Sequence, residues 1–220
     1  MMISPEIFYE DNLKGKSTAQ IMTVIRNLKC EIGRLKNIVE HPDYGSREFA
    51  MCPSESTQIH CSREYLERAK QALVEAGGEY IPSATEKKAM EFDNNIPYIN
   101  KIEFRIGGFT YYFDTITYII DGDKICESRE RSITLKPFSS SKGKLLDIDK
   151  EDFLDRLDSI NIGEWSRNYD SRKFGCFVMD GTKWQLNIYY SNGHRPIKIY
   201  GDNAYPYNFA HLLDLFGIED

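Results

Sequence analysis

The run Gly15-Lys16-Ser17-Thr18 has the residue types that end a phosphate-binding loop. In such a loop, backbone amides and the lysine surround the phosphates of a nucleotide. The loop needs its first glycine at position 10, where the sequence has Glu10, and a carboxylate there would repel phosphate. Ser17 followed by Gln20 also matches a helix N-cap with a capping box. We therefore interpret the run as the start of a helix.

A second group of side chains carries the donors that zinc prefers. Imidazole and thiolate can form a tetrahedral zinc site. The spacing does not match a zinc finger, however, and two adjacent residues seldom reach one ion. Free cysteines and a helix-ending histidine explain the group more simply, so the sequence predicts no metal and no cofactor. The four residues that could still converge on a metal are His41, Cys52, His60 and Cys61.

Thiols, imidazoles and carboxylates that could serve an enzyme are scattered along the chain. Nucleophilic catalysis needs a nucleophile, a base and an orienting group within hydrogen-bond reach. The sequence has none of the short motifs that mark such a geometry, such as Gly-x-Ser-x-Gly or His-Glu-x2-His. An enzyme would therefore use an unfamiliar site. The residues available to it are Glu103, Asp114, Cys126, Cys176, His194 and His211.

Basic residues cluster near the N-terminus, in a stretch whose only acid is Glu31. Such a stripe can lie along a phosphate backbone, with Arg129, Arg131, Lys142 and Lys144 as additional contacts. A solvated helix face opposite an apolar stripe gives the same pattern, and the chain's net charge of -6 opposes nucleic-acid binding. The residues of this basic face are Lys14, Lys16, Arg26, Lys29, Arg34 and Lys36.

Aromatic residues are numerous, with 14 tyrosines and 12 phenylalanines in 220 residues. Tyrosine and tryptophan beside arginine are typical of the energetic centres of protein interfaces. Rings that fill a core of sheet and helix explain the same composition. If some rings face a partner, we expect the contact residues near the ends of the sheet to be Trp165, Arg167, Tyr169, Arg172, Tyr205 and Tyr207.

Composition sets the broad class. Hydrophobic residues make up 41% and charged residues 28%, as in an ordinary globular chain. No segment is apolar for long enough to span a bilayer, and the first residues lack the pattern of a secretory signal. Five cysteines, an odd number, indicate reduced thiols. The sequence therefore predicts a cytoplasmic protein without a membrane partner.

Helices dominate the predicted N-terminal region, residues 1–97. Apolar residues repeat at helical spacing from Ile21 until His41-Pro42 ends the run. A second helix is predicted from Ser62 to Gly77, and a shorter one over Glu86 to Phe92. Residues 98–220 are predicted to form a sheet region, although the whole chain could also form one compact domain.

The sheet region contains several hairpin signals, at Gly107-Gly108, Asp180-Gly181 and Asn192-Gly193. Apolar and polar residues alternate in the last hairpin, with Trp184, Leu186 and Ile188 between Lys183, Gln185 and Asn187. This alternation predicts a strand with one buried and one solvent-exposed face. Asp121-Gly122-Asp123 fits a hairpin turn better than a calcium loop. The fold class is therefore α+β, with N-terminal helices, a mainly antiparallel sheet with hairpins, and a C-terminal covering helix. The predicted strands are Tyr98 to Ile106, Phe109 to Ile120, Ser132 to Lys136, Phe174 to Met179, Trp184 to Tyr190 and a last one ending at Gly201. One helix of this region is predicted to start at Asp149. The C-terminal helix is predicted to start near Phe209 and to end at Gly217.

Part of this pattern resembles a set of uncharacterised bacterial open reading frames, mostly clostridial. The shared residues include Trp165-x3-Tyr169, Asp180-Gly181-Thr182-x-Trp184 and Gly201-x-Asn203-Ala204-Tyr205-Pro206-x-Asn208-Phe209, together with His41-Pro42-Asp43-Tyr44-Gly45-Ser46 near the N-terminus. The resemblance covers most of the chain. It implies a bacterial protein, but it brings no activity, cofactor or catalytic residue.

The absence of catalytic motifs and the many aromatic and arginine residues favour non-catalytic binding of a protein partner. An inhibitor or immunity-type protein is one form of this role, because an acidic chain suits the capture of a basic enzyme. Two alternatives remain open at this point. One is nucleic-acid binding through the basic face of helix 17–40, and the other is an enzyme with an unrecognised site.

Overall fold

The computed structural model describes residues 3–46, 52–108, 112–133, 136–141, 143–176, 178 and 181–218. The chain forms two compact units, Met1–Pro82 and Ser83–Asp220. The helix at Ala84–Asn95, which we grouped with the N-terminal helices, belongs to the second unit. Phe92 of this helix lies in the hydrophobic core of the sheet, and this packing explains its place there.

The first unit consists of helices α1 (Pro5–Asn12), α2 (Thr18–Val39) and α3 (Glu55–Glu75). Ser17 and Gln20 form the predicted capping box at the start of α2. The third helix begins earlier than the predicted Ser62, because the Ser54 hydroxyl accepts a hydrogen bond from the Thr57 amide and caps it there. The buried side chains of α2 and α3 are mainly apolar and include Ile21, Ile25, Ile32, Leu35, Ile59, Leu66, Ala69 and Leu73.

Among its described residues, the second unit contains three α-helices and one sheet. Its helices are α4 (Ala84–Asn95), α5 (Lys150–Ser159) and α6 (Phe209–Leu215); its strands are β1 (Ile99–Gly107), β2 (Tyr112–Asp121), β3 (Lys124–Ile133), β4 (Lys136–Ser140), β5 (Lys144–Leu145), β6 (Asn168–Asp170), β7 (Lys183–Tyr190) and β8 (Ile197–Asp202). The strand order is β4-β3-β2-β1-β7-β8-β6, with β5 beside β3. All pairings are antiparallel except that of β6 with β8. The fold is therefore α+β, as predicted.

The two faces of the sheet differ in burial. The inner face carries the core residues of the strands, which share one hydrophobic cluster with buried residues of α4, α5 and α6. Phe216, just after α6, stacks between Phe104 and Tyr118 of that cluster. The predicted C-terminal helix is thus confirmed, and Gly217 follows it with a φ of 60°. The opposite, outer face carries mostly polar side chains.

Several predicted elements differ from the observed ones. The described residues of Phe174 to Met179 do not form a strand, because Ser171–Phe174 is a short 3-10 helix; Phe177, Met179 and Asp180 lie outside the described residues. The chain instead adds β6, which the sequence pattern did not indicate. The predicted turn at Asp121-Gly122-Asp123 is confirmed, since Asp121 pairs with Lys124 where β2 meets β3. The turn predicted at Gly107-Gly108 was placed too early, because Gly107 belongs to β1 and pairs with Phe113, yet β1 and β2 pair as expected.

Both tryptophans lie beside the start of α6. The Trp184 indole packs directly against Gly201, its partner on β8, and its Nε1 donates a hydrogen bond to the Ala204 carbonyl at 3.0 Å. The Trp165 Nε1 donates to Asn208 Oδ1, also at 3.0 Å. The Asn208 amide in turn donates to the Ile160 carbonyl. These residues therefore position α6 on the sheet.

In the part of the chain that the structure describes, none of the helices has the length and apolar character needed to cross a membrane.

Candidate functional site

The outer face carries a surface cavity at the edge formed by β6 and β8. We call it the Tyr200 groove, and its volume is about 360 Å³. Strand register explains its composition, because Arg105, Gln185, Tyr200 and Asn168 form one row across four strands. The groove is lined by Arg105, Phe113, Asn168, Asp170, Arg172, Lys183, Trp184, Gln185, Tyr200, Gly201 and Asp202.

An ion pair fixes one side of the groove. The Arg172 guanidinium donates two hydrogen bonds to the Asp170 carboxylate, from Nη2 at 2.6 Å and from Nε at 2.9 Å. The Arg172 amide donates a third to the same carboxylate. These hydrogen bonds lower the pKa of Asp170 to about 2. The carboxylate therefore holds the arginine in one orientation at the groove.

Stacking orders the other side of the groove. The Arg105 guanidinium lies over the Phe113 ring, with 4.2 Å between its central carbon and the ring centroid. The Tyr200 side chain lies on β8, between β7 and β6, and is 45% exposed. Lys183 lies 3.7 Å from the Asp202 carboxylate. The groove thus presents one exposed ring among charges of both signs.

The outer face beyond the groove is less exposed to solvent than the alternation in β7 predicted. Asn187 is buried, because neighbouring side chains cover it. It accepts a hydrogen bond from Gln185 and donates one to the Glu103 carboxylate at 3.2 Å. Lys101 bonds the same carboxylate at 2.8 Å and lies over the Tyr189 ring. Linked polar side chains therefore continue from the groove along the sheet.

Two of the predicted contact residues are wrong, because they belong to the core. Trp165 is 1% exposed and Tyr169 is 5% exposed, so neither ring can meet a partner. Both use their polar atoms inside the protein, where the Tyr169 hydroxyl accepts a hydrogen bond from the Ser166 amide. Tyr205 and Tyr207 are partly buried, and Tyr205 packs on Phe209.

The two predicted arginines remain at the surface. Arg172 lines the Tyr200 groove, and Arg167 is exposed next to β6. The sequence analysis missed Arg105 and Tyr200. The alternation of Ile197 and Ile199 with Lys198 and Tyr200 was a usable signal, because it places Tyr200 on the outer face. The proximity of Arg105 and Tyr200 could not be predicted from the sequence, since it depends on β1 pairing with β7.

The possible catalytic residues do not converge. Glu103 and Cys126 lie on the outer face, whereas Asp114 lies on the inner face and pairs with Arg131 at 2.6 Å. His194 lies in the turn after β7, where its Nε2 is 3.1 Å from the Glu91 carboxylate. A nucleophile, a base and an orienting group therefore do not meet among these residues. The Tyr200 groove offers binding groups rather than reactive ones.

The basic face of α2 carries several side chains that already have partners. Lys14 pairs with Glu10 and Arg34 pairs with Glu31, each at 2.6 Å. Lys29 bonds the Tyr80 hydroxyl at 3.1 Å. Arg26 is exposed, while Lys16 and Lys36 are partly buried. Lys14 and Arg34 are therefore already ion-paired with acidic neighbours.

The possible metal ligands are spread over the first unit. His41 lies next to Asp43, and His60 is exposed near Glu64 at 3.8 Å. Cys52 is exposed and Cys61 is partly buried, and both are free thiols. Within the described ranges, no three side chains of His, Cys, Asp or Glu are grouped so that they could hold a metal ion.

The pKa of Asp170 gives a direct test of the ion pair. We expect Arg172→Ala to raise that pKa from about 2 toward the ordinary 3.8, because the hydrogen bonds that favour the carboxylate are lost. Because the pKa of Asp170 is lower in the folded than in the unfolded protein, its ionised form stabilises the fold at pH values above about 4. This contribution disappears as the pH falls from about 4 to about 2. Carboxyl signals followed by NMR would measure the change. Arg26→Ala on α2 is the control, and an unchanged Asp170 titration in Arg172→Ala would contradict the ion pair.

The chain matches no protein-family model, no curated protein and no solved structure.

Proposed function

We propose that this chain is a non-catalytic protein-binding module whose contact surface is the Tyr200 groove. The observation that supports the proposal most strongly is the exposed ring of Tyr200, at 45%, in a cavity lined by two arginines. Tyrosine and arginine are the residue types that dominate the binding energy of protein interfaces. An enzyme is less well supported, since the groove contains no nucleophile beside a base.

Preorganisation makes the two arginines suited to binding. Arg172 is held by Asp170, and Arg105 is stacked on Phe113. Side chains that are already ordered lose less conformational entropy when a partner binds. The planar guanidinium also forms paired hydrogen bonds with carboxylates and packs against rings. The groove can therefore contribute affinity without reorganising its charged side chains.

The charge pattern of the groove favours a protein over a nucleic acid. Asp170 and Asp202 line the groove together with Lys183 and the arginines. A phosphate backbone would be repelled by the two carboxylates, whereas a protein surface can present charges of both signs. The partner we propose is a folded protein with acidic and basic side chains around an apolar pocket for the Tyr200 ring.

Capture of the partner by three tagged proteins tests the proposal. The wild type, Tyr200→Ala and the control Tyr98→Ala would each be incubated with native lysate treated with nuclease, and the captured protein quantified. Tyr98 is 49% exposed, so both substitutions remove an equally exposed ring. We expect Tyr200→Ala to lower capture of one partner by about thirtyfold, as for an interface residue worth about 2 kcal/mol.

Two outcomes would contradict the proposal. Equal capture by Tyr200→Ala and Tyr98→Ala would show that the partner does not use the groove. Binding of an oligonucleotide that weakens steeply with salt and is lost when Arg26 and Lys16 are replaced would instead favour the basic face of α2. Purification of the partner from the wild-type capture would also show whether it is an enzyme that this chain inhibits.

A further inference from the structure

A second cluster of polar side chains lies at the end of the inner face, away from the Tyr200 groove. Lys88 comes from α4, Arg167 precedes β6, and Tyr190 ends β7. Arg167 follows the inner-face alternation, since Asn168 pairs with the outward Tyr200 and Tyr169 with Gly201. The three elements meet at the same end of the core, because Lys88 bonds the Trp165 carbonyl two residues before Arg167, and Glu91, one turn after Lys88, bonds His194, whose ring contacts Tyr190. We call them the oxyanion cluster.

The Tyr190 hydroxyl is a buried polar group without a partner. Tyr190 is 8% exposed, and its hydroxyl oxygen makes no hydrogen bond within the described residues. The ring is fixed by an edge-on contact with His194, with the centroids 4.9 Å apart. Burial raises the pKa of this tyrosine, so its hydroxyl remains protonated and able to donate. A buried donor without an acceptor is costly, and native proteins seldom keep one without a reason.

Lys88 and Arg167 are the cations of the cluster, and Arg167 acts on both Lys88 and Tyr190. Burial lowers the pKa of Lys88, and the positive charge of Arg167 lowers it further. Burial also lowers the pKa of Arg167, against the opposite effects of Tyr190 and Glu91. The Lys88 Nζ donates to the Trp165 carbonyl at 3.2 Å, and the Arg167 side chain makes no hydrogen bond or ion pair with any described residue. Two like charges that are partly desolvated together are stabilised by an anion.

We propose that Lys88, Arg167 and the Tyr190 hydroxyl bind an oxyanion, either a phosphate or a carboxylate group. Arg167 offers paired donors, Lys88 offers a mobile ammonium, and the hydroxyl offers one further donor at the inner end. The negative charge of the anion would offset the repulsion between the two cations, and one of its oxygens would accept a hydrogen bond from the Tyr190 hydroxyl. The site is distinct from the Tyr200 groove and does not depend on the function proposed for it.

One nearby carboxylate opposes the anion and makes the proposal testable in both directions. Glu91 influences the pKa values of both Arg167 and Tyr190, and its carboxylate bonds His194 at 3.1 Å. Its negative charge lowers the affinity of the cluster for an anion. Removing that charge should therefore tighten binding, whereas removing either cation should weaken it.

A titration of the full chain with inorganic phosphate, and separately with acetate, tests the site at constant ionic strength in chloride. The readout is the NMR signal of the arginine Nε–H groups. We expect a saturable shift at Arg167 and none at Arg172, which Asp170 already holds. A tighter response to phosphate assigns a phosphate ligand, and a tighter response to acetate assigns a carboxylate.

The variants should change the affinity for the anion in opposite directions. Lys88→Met should weaken binding about tenfold or more, because a charge-assisted contact is lost. Tyr190→Phe should weaken it severalfold without unfolding the protein, since the hydroxyl has no bond to lose. Glu91→Gln should tighten it severalfold. A linear, non-saturating shift at Arg167, or equal affinities in all four proteins, would overturn the proposal.

Discussion

Gly201→Ala should remove at least about 3 kcal/mol from the stability of the second unit. A Cβ at this position would lie inside the van der Waals envelope of the Trp184 indole. The indole cannot move away easily, because Trp184 is buried and its Nε1 bonds the Ala204 carbonyl. Relief would require either an off-rotamer tryptophan or a shift of β8 away from β7, and both disturb the core.

Urea unfolding followed by tryptophan fluorescence would measure this effect. Both tryptophans, Trp165 and Trp184, lie in the second unit, so the signal reports that unit alone. Gly143→Ala is the matched control. A Cβ there would have only the Glu127 carbonyl nearby, at 3.8 Å, and a change within about 0.5 kcal/mol is expected. A Gly201→Ala protein as stable as Gly143→Ala would contradict the close packing of the indole.

Asn208→Ala should destabilise the same unit by about 2–6 kcal/mol. The substitution removes the acceptor of the Trp165 indole N–H and the donor to the Ile160 carbonyl. Trp165 and Ile160 are both buried, so water cannot replace the lost partners. Each unsatisfied group costs about 1–3 kcal/mol.

A double-mutant cycle separates this cost from simple loss of packing. Trp165→Phe removes the indole N–H, so the penalty of Asn208→Ala should be smaller in that background than in the wild type. Asn192→Ala is the surface control, because Asn192 is exposed and its side-chain hydrogen bonds, to the Asn95 side chain and from the His194 amide, are exposed as well. If the two substitutions at Trp165 and Asn208 are strictly additive, their hydrogen bond does not contribute to stability.

Local signals predicted much of the fold. The serine cap and capping box located the start of α2, and the Asn192-Gly193 turn located the hairpin of β7 and β8, because both depend on neighbouring residues only. The start of α3 was predicted too late, at Ser62, because its capping residue Ser54 lies before the apolar residues that repeat at helical spacing. Strand β6 was missed, because three residues have no detectable periodicity.

The candidate site was harder to predict than the fold. Trp165 and Tyr169 were expected at the surface because of their residue types, but hydrogen bonds inside the protein satisfy their polar atoms. Arg105 and Tyr200 meet only because β1 pairs with β7 and β7 with β8. A pairing between strands so distant in the sequence leaves no local pattern. Arg172 was therefore among the residues predicted from the sequence, whereas the groove that it lines was not.

The pairing of β1 with β7 also affects how the chain folds during synthesis. The helices of the first unit make contacts within that unit, so they can form as soon as residues 3–82 have left the ribosome. Strand β1 emerges long before β7, and until then one of its edges has no partner. An unpaired edge beside an apolar face is a site of aggregation. The second unit therefore depends on the last third of the chain, and nascent chains stalled before β7 would be the form most in need of a chaperone.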